Sequence, residues 1–188
     1  MVMTGNTLEF AMTSTDIAAT TQLASQLGGI VYADNRADAS KLPFAVLATV
    51  VTDDIGRLEE VADVGLYVTC RRVIKPGSAA VYGLFPLIHH PDKTHQQSDA
   101  HWRDVHGPLA LEHHIHMSHY VQLSVVQHLR GPAIDGFALC GFNSLSDLKE
   151  RFFTTPDSVA VIRNDIENFA NTKASPRRLI ATPTVFAG

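Results

Sequence analysis

Lys75-Pro76-Gly77-Ser78 divides this 188-residue chain into two stretches with the same cadence of apolar runs, and that cadence limits the folds open to it. Proline and glycine punctuate a chain because one removes a backbone donor and the other frees φ. Before the divide, residues 8–12, 30–33, 44–51 and 65–74 read as strands. The clearest is Phe44-Ala45-Val46-Leu47-Ala48-Thr49-Val50-Val51, a continuous β-branched run long enough for a buried strand and too short for a typical helix. Residues 17–27 keep helical spacing through Ile17, Thr20, Ala24 and Leu27, after the capping hydroxyls of Thr13 and Ser14, and stop at Gly28-Gly29. Thr52-Asp53-Asp54 starts a second helix with the stripe Ile55, Leu58, Val61, Ala62. Residues 34–43 are polar and turn-rich, a loop. The order is β-α-β-β-α-β.

After the divide the order recurs. Residues 79–89 read as a strand, 94–113 hold a helix, and 120–126 alternate polar and apolar with period two, the mark of a strand with two different faces. Gly131-Pro132 turns the chain, 137–142 is a strand, and 144–171 are helical with a break near Thr155-Pro156. Residues 178–185 close as a strand whose Pro183 makes it an edge or shortens it there. Twice β-α-β-β-α-β gives an α+β chain of tandem ferredoxin-like units, 1–75 a degenerate half and 79–188 the second. The alternative is one catalytic half with an irregular N-terminal extension. Direct similarity between the halves is slight: Asp53-Asp54-Ile55 can be laid on Asn164-Asp165-Ile166.

The length suffices to bury a real core, and apolar (45%) and charged (18%) fractions are those of an ordinary globular protein. Net charge is −4, spread over both halves, so no basic face points to nucleic acid or an anionic membrane. Cys70 and Cys140 form no CxxC pair and argue against a disulfide framework. With no basic leader and no apolar run near the roughly 20 residues that span a bilayer, the expected location is cytoplasmic.

Chemistry concentrates in the second half. All ten histidines lie between His89 and His128, roughly a fifth of the chain, and imidazole is both the proton carrier of neutral pH and the commonest metal ligand. On a regular helix Trp102, His106, Leu109 and His113 share one face. Pro108 cannot donate to the carbonyl of Asp104, so the helix should kink or loosen beside His106. On the strand that follows, Tyr120, Gln122, Ser124, Val126 and His128 share a face. Hydrogen-bonding groups at alternate positions suit a cavity wall, since in a packed core each would need an internal partner. The opposite face, Val121, Leu123 and Val125, is the side expected beneath helices.

A strand ending Leu87-Ile88-His89-His90-Pro91, a polar loop, His101-Trp102-Arg103-Asp104-Val105-His106-Gly107-Pro108-Leu109, and Tyr120 opening the next strand resemble the EthD-like branch of the dimeric α/β-barrel superfamily. Its most specific feature is a helix of the type Trp-x-x-x-His-x-Pro-Leu. The resemblance covers about 79–186, whereas residues 1–75 match only in the order of elements. It implies facing ferredoxin-like sheets that form a barrel, in a homodimer or between tandem repeats, with a cavity between sheet and helices. Related barrels include cofactor-free isomerases, cyclases, decarboxylases and monooxygenases, and others that bind haem. By the same resemblance His106 is the helix histidine, and Tyr120 lies near the place of a second-strand tyrosine.

The first reading is therefore a cofactor-independent lyase or isomerase acting on a small phenolic, aromatic or lactone compound. His106 is its acid or base, and Tyr120 holds or protonates an oxyanion. Trp102, Phe85, Phe137, Phe142, Gln122, Ser124, His89 and His113 are the expected substrate contacts, with no metal and no cofactor assigned and a homodimer as the expected assembly. The second reading is a haem- or metal-binding barrel, prompted by His113-His114-x-His116-x-x-His119, although no HExxH is present. The third is a non-catalytic ligand-binding or assembly module with structural histidines.

Overall fold

The structure, a computed structural model, describes residues 7–36, 38 and 41–188, so part of the expected loop 34–43 lies outside the described residues. The first half contains β1 (Thr7–Ser14), α1 (Ile17–Leu27), β2 (Gly29–Ala33), β3 (Val46–Val50), α2 (Ile55–Val61) and β4 (Gly65–Lys75). The second contains β5 (Val81–Leu87), α3 (His95–His101), a π-helical turn (Trp102–His106), α4 (Gly107–His113), β6 (His119–Arg130), β7 (Gly136–Phe142), α5 (Leu145–Glu150), α6 (Pro156–Ile166) and β8 (Leu179–Phe186). Gly28 ends α1 as expected, at φ +75°, and Thr155 caps α6 with Pro156 in its first turn, but α1 is capped by Asp16, since the expected Thr13 and Ser14 belong to β1.

The strands close into one antiparallel barrel in the order β1-β3-β2-β8-β5-β7-β6-β4, with β4 returning to β1. Each half supplies four adjacent strands, and β2–β8 and β4–β6 pairing joins the halves. Closure therefore occurs within one chain. Closure also settles the expectation for Pro183: β8 is no edge, but its pairing with β5 stops at Ala181, before the proline.

Period-two alternation sorts the apolar side chains into three bodies. Every strand sends residues into the lumen: Ala11, Tyr32, Leu47 and Tyr67 from the first half meet Leu84, Leu123, Leu139 and Leu179 from the second. Ring edges interlock there, Tyr32 on Tyr82 at 5.2 Å and Phe137 on Tyr67 at 5.5 Å between centroids. Polar groups in the barrel interior are paired, with Arg71 on Glu9 at 2.9 Å and on Thr49 at 3.0 Å. Outside, Met12, Val31, Ala48 and Leu66 pack with α1 and α2 residues Leu23 and Leu58. On the second half the outer face packs with Trp102, Ala110, Leu148 and Phe169.

Two expectations are corrected here. Val121, Leu123 and Val125 point into the lumen and not toward the helices, so the face of β6 with Tyr120 is the covered one. Phe137, expected against substrate, is a fully buried lumen residue for the same reason. Among the described residues no helix is long and apolar enough to cross a membrane.

Phe137→Ala removes a ring gripped by Phe44 and Tyr67. It should cost about 3–5 kcal/mol of stability, read by denaturant unfolding, while ligand binding outside the barrel persists in the folded fraction.

Candidate functional site

The long helical segment over β6 begins regularly, with a capping box between Thr94 and Gln97, and then widens. Pro108 has no N–H to give the Asp104 carbonyl, and the preceding turn adopts π geometry, in which the Gly107 N–H reaches back to Trp102 O. The side-chain amide of Gln122 donates to the same carbonyl at 2.9 Å. One extra residue in the turn rotates all that follows. The buried stripe is consequently Trp102, His106, Ala110 and His114, in place of the expected Leu109 and His113.

His106 is buried, and its Nδ1 lies 2.7 Å from Asp165 Oδ2. Asp165 Oδ1 takes His101 Nε2 at 2.8 Å, so one carboxylate on α6 spans two rings of the helix opposite. Phe169 braces both, stacked on His101 at 5.5 Å and tilted on His106 at 5.0 Å. Burial pulls the Asp165 carboxyl upward, but hydrogen bonds from His106 and His101 outweigh it and hold the group below the usual range. An ionised Asp165 fixes Nδ1 of His106 as the protonated nitrogen. Nε2 is then left to the cavity that His106 lines.

That cavity has a volume of ≈ 310 Å³ and lies between the outer face of β5–β8 and the helices. Phe85, Trp102, Phe152, Phe153 and Phe169 give it aromatic walls, with Ile162 and Ile166 beside them. Tyr120 stands in its floor. The phenol oxygen accepts from Trp102 Nε1 and from Gln122 Nε2, both at 3.2 Å, which occupies both lone pairs. Its own hydrogen remains available as a donor. Burial raises the phenol well above its ordinary value, keeping it protonated.

His114 is the second imidazole of the cavity. Its Nδ1 donates to the Phe152 carbonyl at 2.6 Å, and burial pushes its pKa down to about 4. It stays neutral at physiological pH and presents an acceptor. The sequence placed it only in the possible metal cluster, because a regular helix puts His113 on the stripe.

Of the expected contacts, His106, Tyr120, Trp102 and Phe85 line the cavity. Gln122 and Ser124 do not. Gln122 holds Tyr120 and the widened turn, and Ser124 donates to Asp99 at 2.6 Å beneath α3. Arg72 bonds the same Asp99 at 2.6 Å and reaches Gln122 at 3.4 Å. The polar face of β6 finds internal partners and makes no wall there. Phe142 sits behind the wall against Phe152 at 5.4 Å, and His113 turns to Ser158 at 3.0 Å.

His89 joins a separate cluster, in which Asp135 takes His89 Nδ1 at 2.9 Å and His95 Nδ1 at 2.8 Å. The histidines of the possible metal cluster disperse to Ser158, Phe152 O, Arg151 and Tyr82. Among the described residues no three His, Cys, Asp or Glu side chains are placed to share a metal. Asp165 was missed, although an acid at the i+3 position after Ile162, on a stripe continuing to Ile166 and Phe169, signals a buried partner.

The structure is an α+β fold in which helices sheathe a closed, antiparallel eight-stranded barrel, an architecture consistent with a dimeric α/β barrel. Two solved structures are similar in fold. One is an anthrone oxidase-like protein, at TM-score 0.53 and 8% identity over 96% of this chain and 93% of that one. The other is a provisionally named monooxygenase from Lactobacillus acidophilus NCFM, at TM-score 0.53 and 8% identity over 96% of both chains. No protein-family model matches the chain. No curated protein sequence matches it either.

The Asp135 cluster carries a pH signature. The Asp135 hydrogen bond raises His95 despite its burial, whereas Asp135 is held low by His95 and His89 against its own burial. A raised histidine stabilises below its unfolded value and loses that contribution as pH climbs through the folded one. A lowered carboxyl stabilises above its unfolded value and loses it as pH falls. Their joint contribution is greatest between roughly pH 4 and 6.5. Asp135→Asn should lower Tm more at pH 5.5 than at pH 8.5, in a melting series across that range.

Proposed function

We propose that this chain is a lyase or isomerase acting on a small phenolic, aromatic or lactone compound, with proton transfer performed by its own side chains. His106 Nε2 is the base that takes an acidic C–H or O–H proton and later returns it. Tyr120 O–H stabilises the oxyanion that forms. The observation that carries this is the pair of hydrogen-bond sets on two residues of one cavity: Asp165 holds Nδ1 of His106 and leaves its other nitrogen open, and Trp102 and Gln122 both donate to the Tyr120 oxygen and leave its hydrogen to give.

The physical logic is that of an oriented acid–base pair. A carboxylate on Nδ1 sets the tautomer and stabilises the imidazolium that forms when Nε2 accepts a proton. A phenol already supplied with two donors spends its own hydrogen only where negative charge develops. Apolar walls strengthen both interactions by keeping water out. His114, neutral and accepting, is suited to a substrate hydroxyl.

The same first deprotonation would also serve the oxidase and monooxygenase chemistry for which the two fold neighbours are named. Isotope from ¹⁸O₂ in product would mark that second reading. We read residues 1–75 and 79–188 as tandem ferredoxin-like units, the second EthD-like. Support comes from strand order, which runs fourth, first, third, second in each half when each is numbered from its own first strand. Within such a barrel the second unit stands where a partner's sheet would stand in a homodimer, so closing the sheet places no demand on dimerisation.

The test is turnover of a phenol and lactone panel by the intact chain. His106→Gln should lose about 10²- to 10⁴-fold in kcat/KM and Tyr120→Phe at least about tenfold, with the fold kept by both. Asp165→Asn should fall between them. Undiminished turnover by His106→Gln would remove the proposal.

A further inference from the structure

The cavity carries one permanent charge that the proton-transfer reading leaves without a task. Arg178 lines it, immediately before β8, and no aspartate or glutamate is among the lining residues. Its guanidinium lies over the face of Phe85, 5.7 Å from the ring centroid, an arrangement that steadies the group without neutralising it. The neighbouring Arg177 reaches Asp38 at 3.5 Å, but Arg178 has no carboxylate partner within ion-pair distance among the described residues. It also borders a shallow outer groove with Lys149 and Glu150, which places it at the rim of the cavity.

Strand register gives its position relative to the proton-transfer pair. Leu179 faces Leu84 across β8 and β5, so Arg178 falls opposite Phe85, and Phe85 faces Ala138 on β7. Tyr120 pairs with Cys140, on the far side of β7. Arg178 and Tyr120 thus stand on the outer strands of a floor three interstrand spacings wide, about 14 Å across, and are offset from each other by two positions along the strands. At ≈ 310 Å³ the cavity has about twice the 150 Å³ that encloses benzene.

We propose that the substrate of this site is an aromatic acid, its carboxylate held by Arg178 at the β8 flank and its hydroxyl or carbonyl oxygen offered to Tyr120 and His106 at the β6 flank. This rests on the proton-transfer reading for the far end of the molecule only. A planar guanidinium matches a carboxylate with two parallel hydrogen bonds, and the walls of Phe85, Phe152 and Phe169 take the ring between. The charge anchor also fixes which end of a flat molecule enters first, which the apolar walls alone leave undetermined.

Trp102 is the chain's single tryptophan and lines this cavity, so its fluorescence reports occupancy directly. The intact protein is titrated at pH 7.5 with 4-hydroxybenzoate, 6-hydroxy-2-naphthoate and the uncharged 4-hydroxybenzamide. At least one acid should bind tenfold or more tightly than the amide. Arg178→Gln should abolish that preference with amide affinity unchanged, and Arg178→Lys should keep part of it. Equal affinity for acid and amide, an undiminished preference in Arg178→Gln, or no saturable response to either acid would overturn the proposal. His106→Gln separates the two ideas: a preference for acids that survives while turnover is unaffected leaves the anchor standing and removes the base.

Discussion

Pro108 brings no N–H to the carbonyl of Asp104, and the geometry of the site follows from how the helix accommodates that lack. The backbone widens into one π turn over Trp102–His106, and Gly107 bonds Trp102 O in place of the usual partner one residue later. Two things hold the wide turn. The Gln122 amide takes up the Trp102 carbonyl from below, and Asp165 pins His101 and His106 from α6. A turn that would be a weak point in an exposed helix is thereby fixed from two sides. His106 is presented to the cavity with one nitrogen committed and one free.

The same turn decides what could be read from the sequence. The pairing of Trp102 with His106, and the disturbance at Pro108, follow from i, i+4 spacing and the chemistry of proline. Everything C-terminal to the turn is displaced by one residue, which regular spacing cannot anticipate, so His113 was expected where His114 stands. Gln122 and Ser124 failed for a different reason. The rule that buried polar groups need partners was sound, but the partners came from Arg72 on β4 and Asp99 on α3, far away in sequence. Arg178 carried no local signal, since a cation before a strand is usually solvated.

The fold was legible in the order of its elements, and less so in which face of each strand looks inward. Alternation in β6 marks two faces but not which of them meets the lumen. In a closed barrel the lumen must be filled, and it takes the Val121, Leu123 and Val125 side with Phe137. The site is consequently built on the outside of the barrel, under its own helices, and every residue that lines its cavity comes from the second half. The first half closes the sheet, pairs Arg71 internally with Glu9, and lends Arg72 to Asp99 beneath α3. A barrel closed within one chain places the site on strands and helices and not on loops, the kind of support that holds donors to the roughly 0.5 Å that catalysis requires.

The central claim is a protonation pattern, and nitrogen NMR reads it directly. In ¹⁵N-histidine-labelled protein, long-range proton–nitrogen spectra of neutral His106 should show Nδ1 protonated and Nε2 bare, the tautomer that Asp165 dictates and the less common one for a free imidazole. The Nε2 resonance should move when an aromatic acid fills the cavity. A neutral ring protonated at Nε2, or a resonance indifferent to ligand, would contradict the account.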